Sequence, residues 1–167
     1  YKHLHLIAEC LPTNIKRVAD AFAGSQSVAY FFKQNGYEVY TNDFLSFSHK
    51  IGQSLVENKH FRLDENDIQI LLQNNQNPTH FDLMKNLFTD IFFKEEEAEF
   101  LDSFRNNIES LPKEKQSLAF SIINRSITRK VTMGHFAHTS ALNYANNAER
   151  IKRNPNLIRP IKEIFLN

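Results

Sequence analysis

A chain of 167 residues with 41% hydrophobic content is long enough to build a core, and its length suits one domain of ordinary size. No apolar run approaches the roughly 20 residues needed to span a bilayer and the first residues do not resemble a signal peptide. The single cysteine, Cys10, excludes an internal disulfide or a cysteine zinc site, so a reducing cytoplasm is the expected compartment. The first element, with Leu4, Ile7, Ala8 and Leu11 at helical spacing, is a short amphipathic helix stopped by Pro12. Asn14 to Phe22 reads as a strand that ends in the tight run Ala23-Gly24-Ser25-Gln26-Ser27. Ser27 to Asn35 is helical, with Gly36 where a left-handed C-terminal cap belongs. Glu38 to Asp43 is a second strand, and Phe44 to Glu57 a second helix with Phe47, Ile51 and Leu55 on one face.

Strand, helix, strand, helix in so short a span implies a parallel βαβ unit with a right-handed crossover, covering residues 1–58. From residue 59 to 167 the character is that of an added, mostly helical lobe, so the class is α/β. Asp64 and Thr79 are expected N-caps of short helices reaching about Leu72 and Phe88, separated by a polar, Asn-rich turn at 73–78. Ala98, Leu101, Phe104, Ile108 and Leu111 line a further helix ended by Pro112, and Leu118, Ile122, Ile123 and Ile127 mark another. Thr132 to Pro160 reads largely as loop. Parallel strands are stable when buried within a larger sheet, and two short ones leave open edges, so the sequence looks like part of a fold. Fifteen Phe beside five Tyr and no Trp read as a core-packing habit.

The net charge of +1 conceals two opposite stretches. Between Phe88 and Ser110, seven acids (Asp90, Glu95, Glu96, Glu97, Glu99, Asp102 and Glu109) face only Lys94 and Arg105. The run Glu95 to Glu99 is expected to be a solvated helix N-terminus favoured by the dipole. Between Asn124 and Glu163 the balance reverses, with Arg125, Arg129, Lys130, Arg150, Lys152, Arg153, Arg159 and Lys162 against Glu149 and Glu163. A basic cluster of this kind is a phosphate-binding footprint or, more plainly, a solvated helix face.

The sharpest motif is Asp20-Ala21-Phe22-Ala23-Gly24-Ser25-Gln26-Ser27, followed by Gly36 to Asp43. Small residues after the first strand let the backbone approach a ligand, and the next helix presents free amide groups. Asp43 follows Gly24 by about 20 residues, where a carboxylate can accept hydrogen bonds from ribose hydroxyls. A dinucleotide site would want G-x-G-x-x-G, whereas here one glycine precedes Ser-Gln-Ser. The plain alternative is an ordinary strand-to-helix turn, with Asp43 serving only as a helix N-cap.

With Asn42-Asp43-Phe44, these residues resemble the S-adenosylmethionine-binding motifs of adenine-specific DNA methyltransferases of restriction-modification systems, in the group whose cofactor half comes first. The similarity is densest over Val18 to Asn58 and continues in style through the Gly134-His135-Phe136 region. It implies a partial Rossmann-like methyltransferase fold. It also implies that Asp20, Phe22, Ala23, Gly24, Ser25 and Ser27 hold the methionine end of the cofactor, Asp43 the ribose and Phe44 the adenine. Arg125, Arg129, Lys130, His135, His138, Arg150, Lys152 and Arg153 are the expected contacts to double-stranded DNA, and the Thr132 to Asn147 stretch carries side chains able to read base edges. No metal site is expected, since His135 and His138 lack a third ligand.

Three departures from the family pattern stand out. Gln26 replaces a usual second glycine, the chain starts just past the expected Gly- and Lys-containing opening segment, and the catalytic Asp-Pro-Pro-aromatic tetrapeptide is absent. Asn77-Pro78-Thr79 and Asn154-Pro155-Asn156 lack its second proline and its aromatic. No catalytic residue is therefore assigned. The expected whole is an enzyme that methylates the exocyclic amino group of adenine in DNA. This chain would be its N-terminal part, inactive until joined by a missing half or second subunit. The alternative is a non-catalytic DNA-binding remnant, and a different nucleotide-using α/β enzyme is the further rival.

Overall fold

The computed structural model describes residues 3–75, 82–131 and 141–167, which divide into two compact units, Tyr1–Arg62 and Leu63–Asn167. In the first unit the order is α1 (Leu4–Glu9), β1 (Arg17–Asp20), α2 (Ser27–Gln34), β2 (Glu38–Thr41) and α3 (Ser46–Gly52), which runs on as a π-turn over Gln53–Glu57. β1 and β2 pair in parallel, Arg17 opposite Glu38 and Asp20 opposite Thr41, and they are the only named strands among the described residues. They are shorter than the sequence suggests, β1 covering four residues of Asn14 to Phe22 and β2 four of Glu38 to Asp43, before both segments bend into turns.

The αL cap at Gly36 is present in full. Gly36 has φ +83°, its N–H donates to the Lys33 carbonyl and that of Tyr37 to the Phe32 carbonyl, both at 3.1 Å. These are the two bonds of a Schellman motif, and the accompanying apolar contact is Tyr37 on Phe32, with ring centroids 5.2 Å apart.

The face of α3 that is buried is not the expected one. Phe47 and Leu55 remain exposed, whereas Ser48, Gly52, Ser54 and Val56 are buried. The helix continues in π geometry from Gln53 to Glu57, and Ser54 and Val56 are the buried residues of that turn. Small residues at 48 and 52 admit the buried side chain of Gln26, which a larger face would exclude.

The second unit contains α4 (Glu65–Leu71), α5 (Leu83–Phe88), α6 (Glu95–Ile108), α7 (Lys113–Lys130), α8 (Ala141–Ala145), α9 (Ala148–Arg153), a 3-10 turn (Pro155–Ile158) and α10 (Ile161–Phe165). Asp64 caps α4 through a reciprocal capping box with Asp67, and Lys115 of α7 bonds both carboxylates, at 2.8 and 2.5 Å. The other expected cap, Thr79, lies outside the described residues. The stripe Ala98, Leu101, Phe104 and Ile108 of α6, with Leu111, is buried as its spacing predicts, against Leu71, Ile123, Ile161 and Phe165.

The expectation of loop from Thr132 to Pro160 is corrected over its described part, most of which is helical. Asn147 accepts from the amides of Glu149 and Arg150 and starts α9; Asn154 accepts from the amide of Asn156 and, with Pro155 behind it, starts the 3-10 turn. Polar composition conceals α9 and the 3-10 turn because each is short and opened by a capping asparagine.

Candidate cofactor-binding site

The carboxyl ends of β1 and β2 lead into two turns that are tied to each other. The Asn42 amide donates to the Asp20 carbonyl at 2.9 Å and the Ala23 amide to the Asn42 carbonyl at 3.0 Å, extending the parallel ladder past the strands. The Gly24 N–H then donates to Asp43 Oδ2 at 2.7 Å, while Asp43 Oδ1 accepts from the Leu45 N–H at 2.9 Å. The glycine of the first turn and the carboxylate of the second are thus in direct contact. The Leu45 and Gly24 amide donors hold the Asp43 carboxyl below its ordinary range, so it is ionised at neutral pH. A carboxylate has about four acceptor sites, and beside these two amides the Ser48 hydroxyl and the Phe44 amide also help to keep Asp43 charged.

Gly24 has φ +49°, and a Cβ built on it would meet nothing nearer than the Phe22 carbonyl oxygen at 4.0 Å; its backbone, not crowding, calls for glycine. Ala23 is buried beneath the turn, Asp20 is half-buried at the end of β1, and the Ser25 and Ser27 hydroxyls lie 2.8 Å apart. Phe22 and Phe44 flank the two turns, 91% and 97% exposed. Such exposure overturns the core-packing reading of phenylalanine for these two positions.

Gln26, the departure from the resemblance, also has a left-handed backbone, φ 62°, yet its side chain is 1% exposed. A non-glycine residue pays about 1–2 kcal/mol for that conformation. Two side-chain hydrogen bonds act against that cost: Gln26 Nε2 donates to the Ser48 carbonyl at 3.1 Å and to Ser48 Oγ at 3.2 Å, while Gln26 Oε1 is buried without a partner among the described residues. The Ser48 hydroxyl in turn donates to the Gly24 carbonyl at 2.5 Å. Neither Ser48 nor the structural use of Gln26 is evident from the motif. The available signal is the pair of small residues, Ser48 and Gly52, four apart on the helix after Asp43.

In the second unit the basic residues divide. Arg125 and Arg129 on α7, and Lys152 and Arg153 on α9, are exposed, and Arg150 is half-buried. Asn154 Nδ2 donates to the carbonyls of Arg129 and Lys130, at 3.1 and 3.2 Å, so the last turns of α7 and α9 meet. Lys130 departs from the expected set. It is 8% exposed and its ammonium is bound to Glu97 Oε1 at 2.6 Å and the Arg159 carbonyl at 2.7 Å, which makes it an internal strut. The same pair corrects the solvated reading of the acidic run at Glu97, which also accepts from the Ile161 amide at 3.3 Å. His135 and His138 lie outside the described residues. A cavity of about 690 Å³ in this unit is bordered by Leu72, Phe92, Phe100, Leu142 and the Lys130–Glu97 pair.

Among the described residues there is no group of three His, Cys, Asp or Glu able to hold a metal, and no helix is long and apolar enough to cross a membrane. A family model described as D12 class N6 adenine-specific DNA methyltransferase matches residues 1–165. The type II methyltransferase M2.HphI of Haemophilus parahaemolyticus is 33% identical over 131 residues, 78% of this chain and 38% of that protein. The chain thus spans well under half the length of this relative. No solved structure matches.

Proposed function

Since the chain belongs to the D12 class N6 adenine-specific DNA methyltransferases, we propose that its first unit is the S-adenosylmethionine-binding part of such an enzyme, a partial Rossmann-like methyltransferase fold. The observation that carries this reading is the 2.7 Å bond from the Gly24 amide to Asp43, which unites the two cofactor motifs at the ends of adjacent parallel strands. Ligands of parallel sheets bind at that end of the strands.

The donor set fits the cofactor. Asp20 and the Phe22–Ser25 turn, with Ser27, offer a carboxylate, backbone amides and hydroxyls to the charged methionine end. Asp43 offers acceptor sites for the ribose diol. Phe44 offers an exposed ring face to the adenine. When bound, S-adenosylmethionine supplies an electrophilic methyl group. The chain's own residues bind and orient it: Asp43 keeps its charge through the Gly24 and Leu45 amides, and Gly24 lets the backbone approach.

The whole enzyme, in this proposal, acts in a restriction-modification system and methylates the exocyclic amino group of an adenine flipped out of duplex DNA. The type II methyltransferase name of the relative supports the setting. Arg125, Arg129, Arg150, Lys152 and Arg153, together with His135 and His138, contact the DNA. The sequence contains no Asp-Pro-Pro-aromatic tetrapeptide, so this chain binds cofactor without turnover until another polypeptide segment or subunit supplies that motif.

Calorimetric titration with S-adenosylmethionine tests the reading. Saturable binding that is weakened by Asp43→Asn is the expected result. DNA binding with steep salt dependence but no cofactor binding would instead identify a non-catalytic remnant.

A further inference from the structure

We infer that Gln26 and Ser48 are a positioning pair for the cofactor turn: the Gln26 carboxamide orients the Ser48 hydroxyl, and that hydroxyl holds the Gly24 carbonyl. The cofactor role of the turn rests on the function proposed above; the coupling itself rests on geometry. The direction of the links follows from the acceptor-only groups and the distances. The Ser48 carbonyl can only accept, so the Gln26 amide nitrogen, 3.1 Å away, must face it. The Gly24 carbonyl can only accept and lies 2.5 Å from Ser48 Oγ, which places the hydroxyl proton on it, with the Asp43 carboxylate as a second acceptor in reach. Ser48 Oγ is then free to accept from Gln26 Nε2 at 3.2 Å.

The Gly24 residue is thereby gripped at both ends, its N–H by Asp43 and its C=O by Ser48. Gln26 and Ser48 are each 1% exposed, so water does not compete for the bonds between them, whereas the Gly24 bond to Asp43 lies at the surface. Where the resemblance leads one to expect a second glycine, Gln26 keeps the left-handed backbone, φ 62°, and adds a link from the turn to α3. That link requires room on α3. A Cβ at Gly52 would lie 3.1 to 3.3 Å from three atoms of the Gln26 carboxamide. Gln26, Ser48 and Gly52 therefore form one fitted set, with the carboxamide held by Ser48 and accommodated by Gly52.

The test uses the 167-residue chain, labelled with nitrogen-15, as Gln26→Gly, Ser48→Ala, the double variant and Gly52→Ala. Without ligand, either single variant is expected to shift the Gly24 amide resonance and speed its hydrogen exchange. The double variant should go no further than the stronger single one. S-adenosylmethionine binding should weaken up to about tenfold in each single variant, the size of one lost hydrogen bond, and again not multiply.

Gly52→Ala is expected to lower the Tm of the parent and raise it in the Gln26→Gly background, where the helix gains from alanine and nothing obstructs the methyl group. An unchanged Gly24 amide in both single variants, multiplying effects, or a Gly52→Ala change of the same sign in both backgrounds overturns the pair. A parent chain that binds no S-adenosylmethionine removes the cofactor reading, while the amide and Gly52 results still decide the coupling. Should Ser48→Ala not fold, Gln26→Gly and the Gly52→Ala sign reversal decide it.

Discussion

Phe104 and Phe44 stand at opposite extremes of this chain. Phe104 is 1% exposed within a cluster of apolar side chains from α4, α6, α7 and α10, its ring edge-on to Phe100 and Phe165. Phe44 is 97% exposed beside a turn whose centre is polar, Gln26 and Ser48 lying buried beneath it. The second unit holds its helices by burying apolar area, whereas the first uses hydrogen bonds to hold a backbone bend in one geometry. The difference separates residues whose loss unfolds a unit from residues whose loss alters only what the unit binds.

Truncation at each extreme tests that separation. Phe104→Ala is expected to destabilise the second unit by about 3–5 kcal/mol, read as a lower urea midpoint. Next in size is Lys130→Met, which strands the largely buried Glu97 carboxylate; breaking a buried pair typically costs about 3–5 kcal/mol, and the Ile161 amide that Glu97 keeps places this one at the lower end. It should leave the salt dependence of DNA binding unchanged. Arg129→Ala should do the reverse, keeping stability within about 0.5 kcal/mol and lowering the salt slope by about 0.9. Phe44→Ala should likewise cost under about 0.5 kcal/mol in stability, while S-adenosylmethionine binding loses about 1–3 kcal/mol of stacking, measured by calorimetry.

The smallest effect concerns acid. Lys115 and the Asp67 amide hold the Asp64 carboxyl down at about 2, against an ordinary 3.8. A folded pKa below the unfolded one contributes stability that is complete above about 3.8 and lost as pH falls through about 2. Asp64→Asn should therefore flatten the decline in Tm between pH 4 and pH 2, and a variant with the parent's acid limb would contradict the assignment.

Much of this was legible in the sequence where one residue type has one physical use. Gly36 after a helical run, Asp64 as the N-cap of a short helix, and the apolar stripe of α6 each announce their structure. The Gly24–Asp43 proximity is legible from spacing, because parallel strands of similar length bring their ends together. What was not legible depends on partners distant in sequence. Lys130 looks like any basic surface residue until Glu97, 33 residues away, takes its charge. Phe47 and Leu55 look like a core face until Gln26 claims the small-residue side of α3. The α9 helix and the 3-10 turn are hidden by their polar residues and are marked only by the caps Asn147 and Asn154.

The central claim is that the Gly24 turn and Asp43 form one cofactor pocket. Nitrogen-15 chemical-shift mapping of the 167-residue chain with S-adenosylmethionine tests it most directly. Shifts concentrated at Gly24, Ser25, Asp43 and Phe44, and weakened in Asp43→Asn, are the predicted result. Shifts confined to the second unit, or none at saturating ligand, would contradict it.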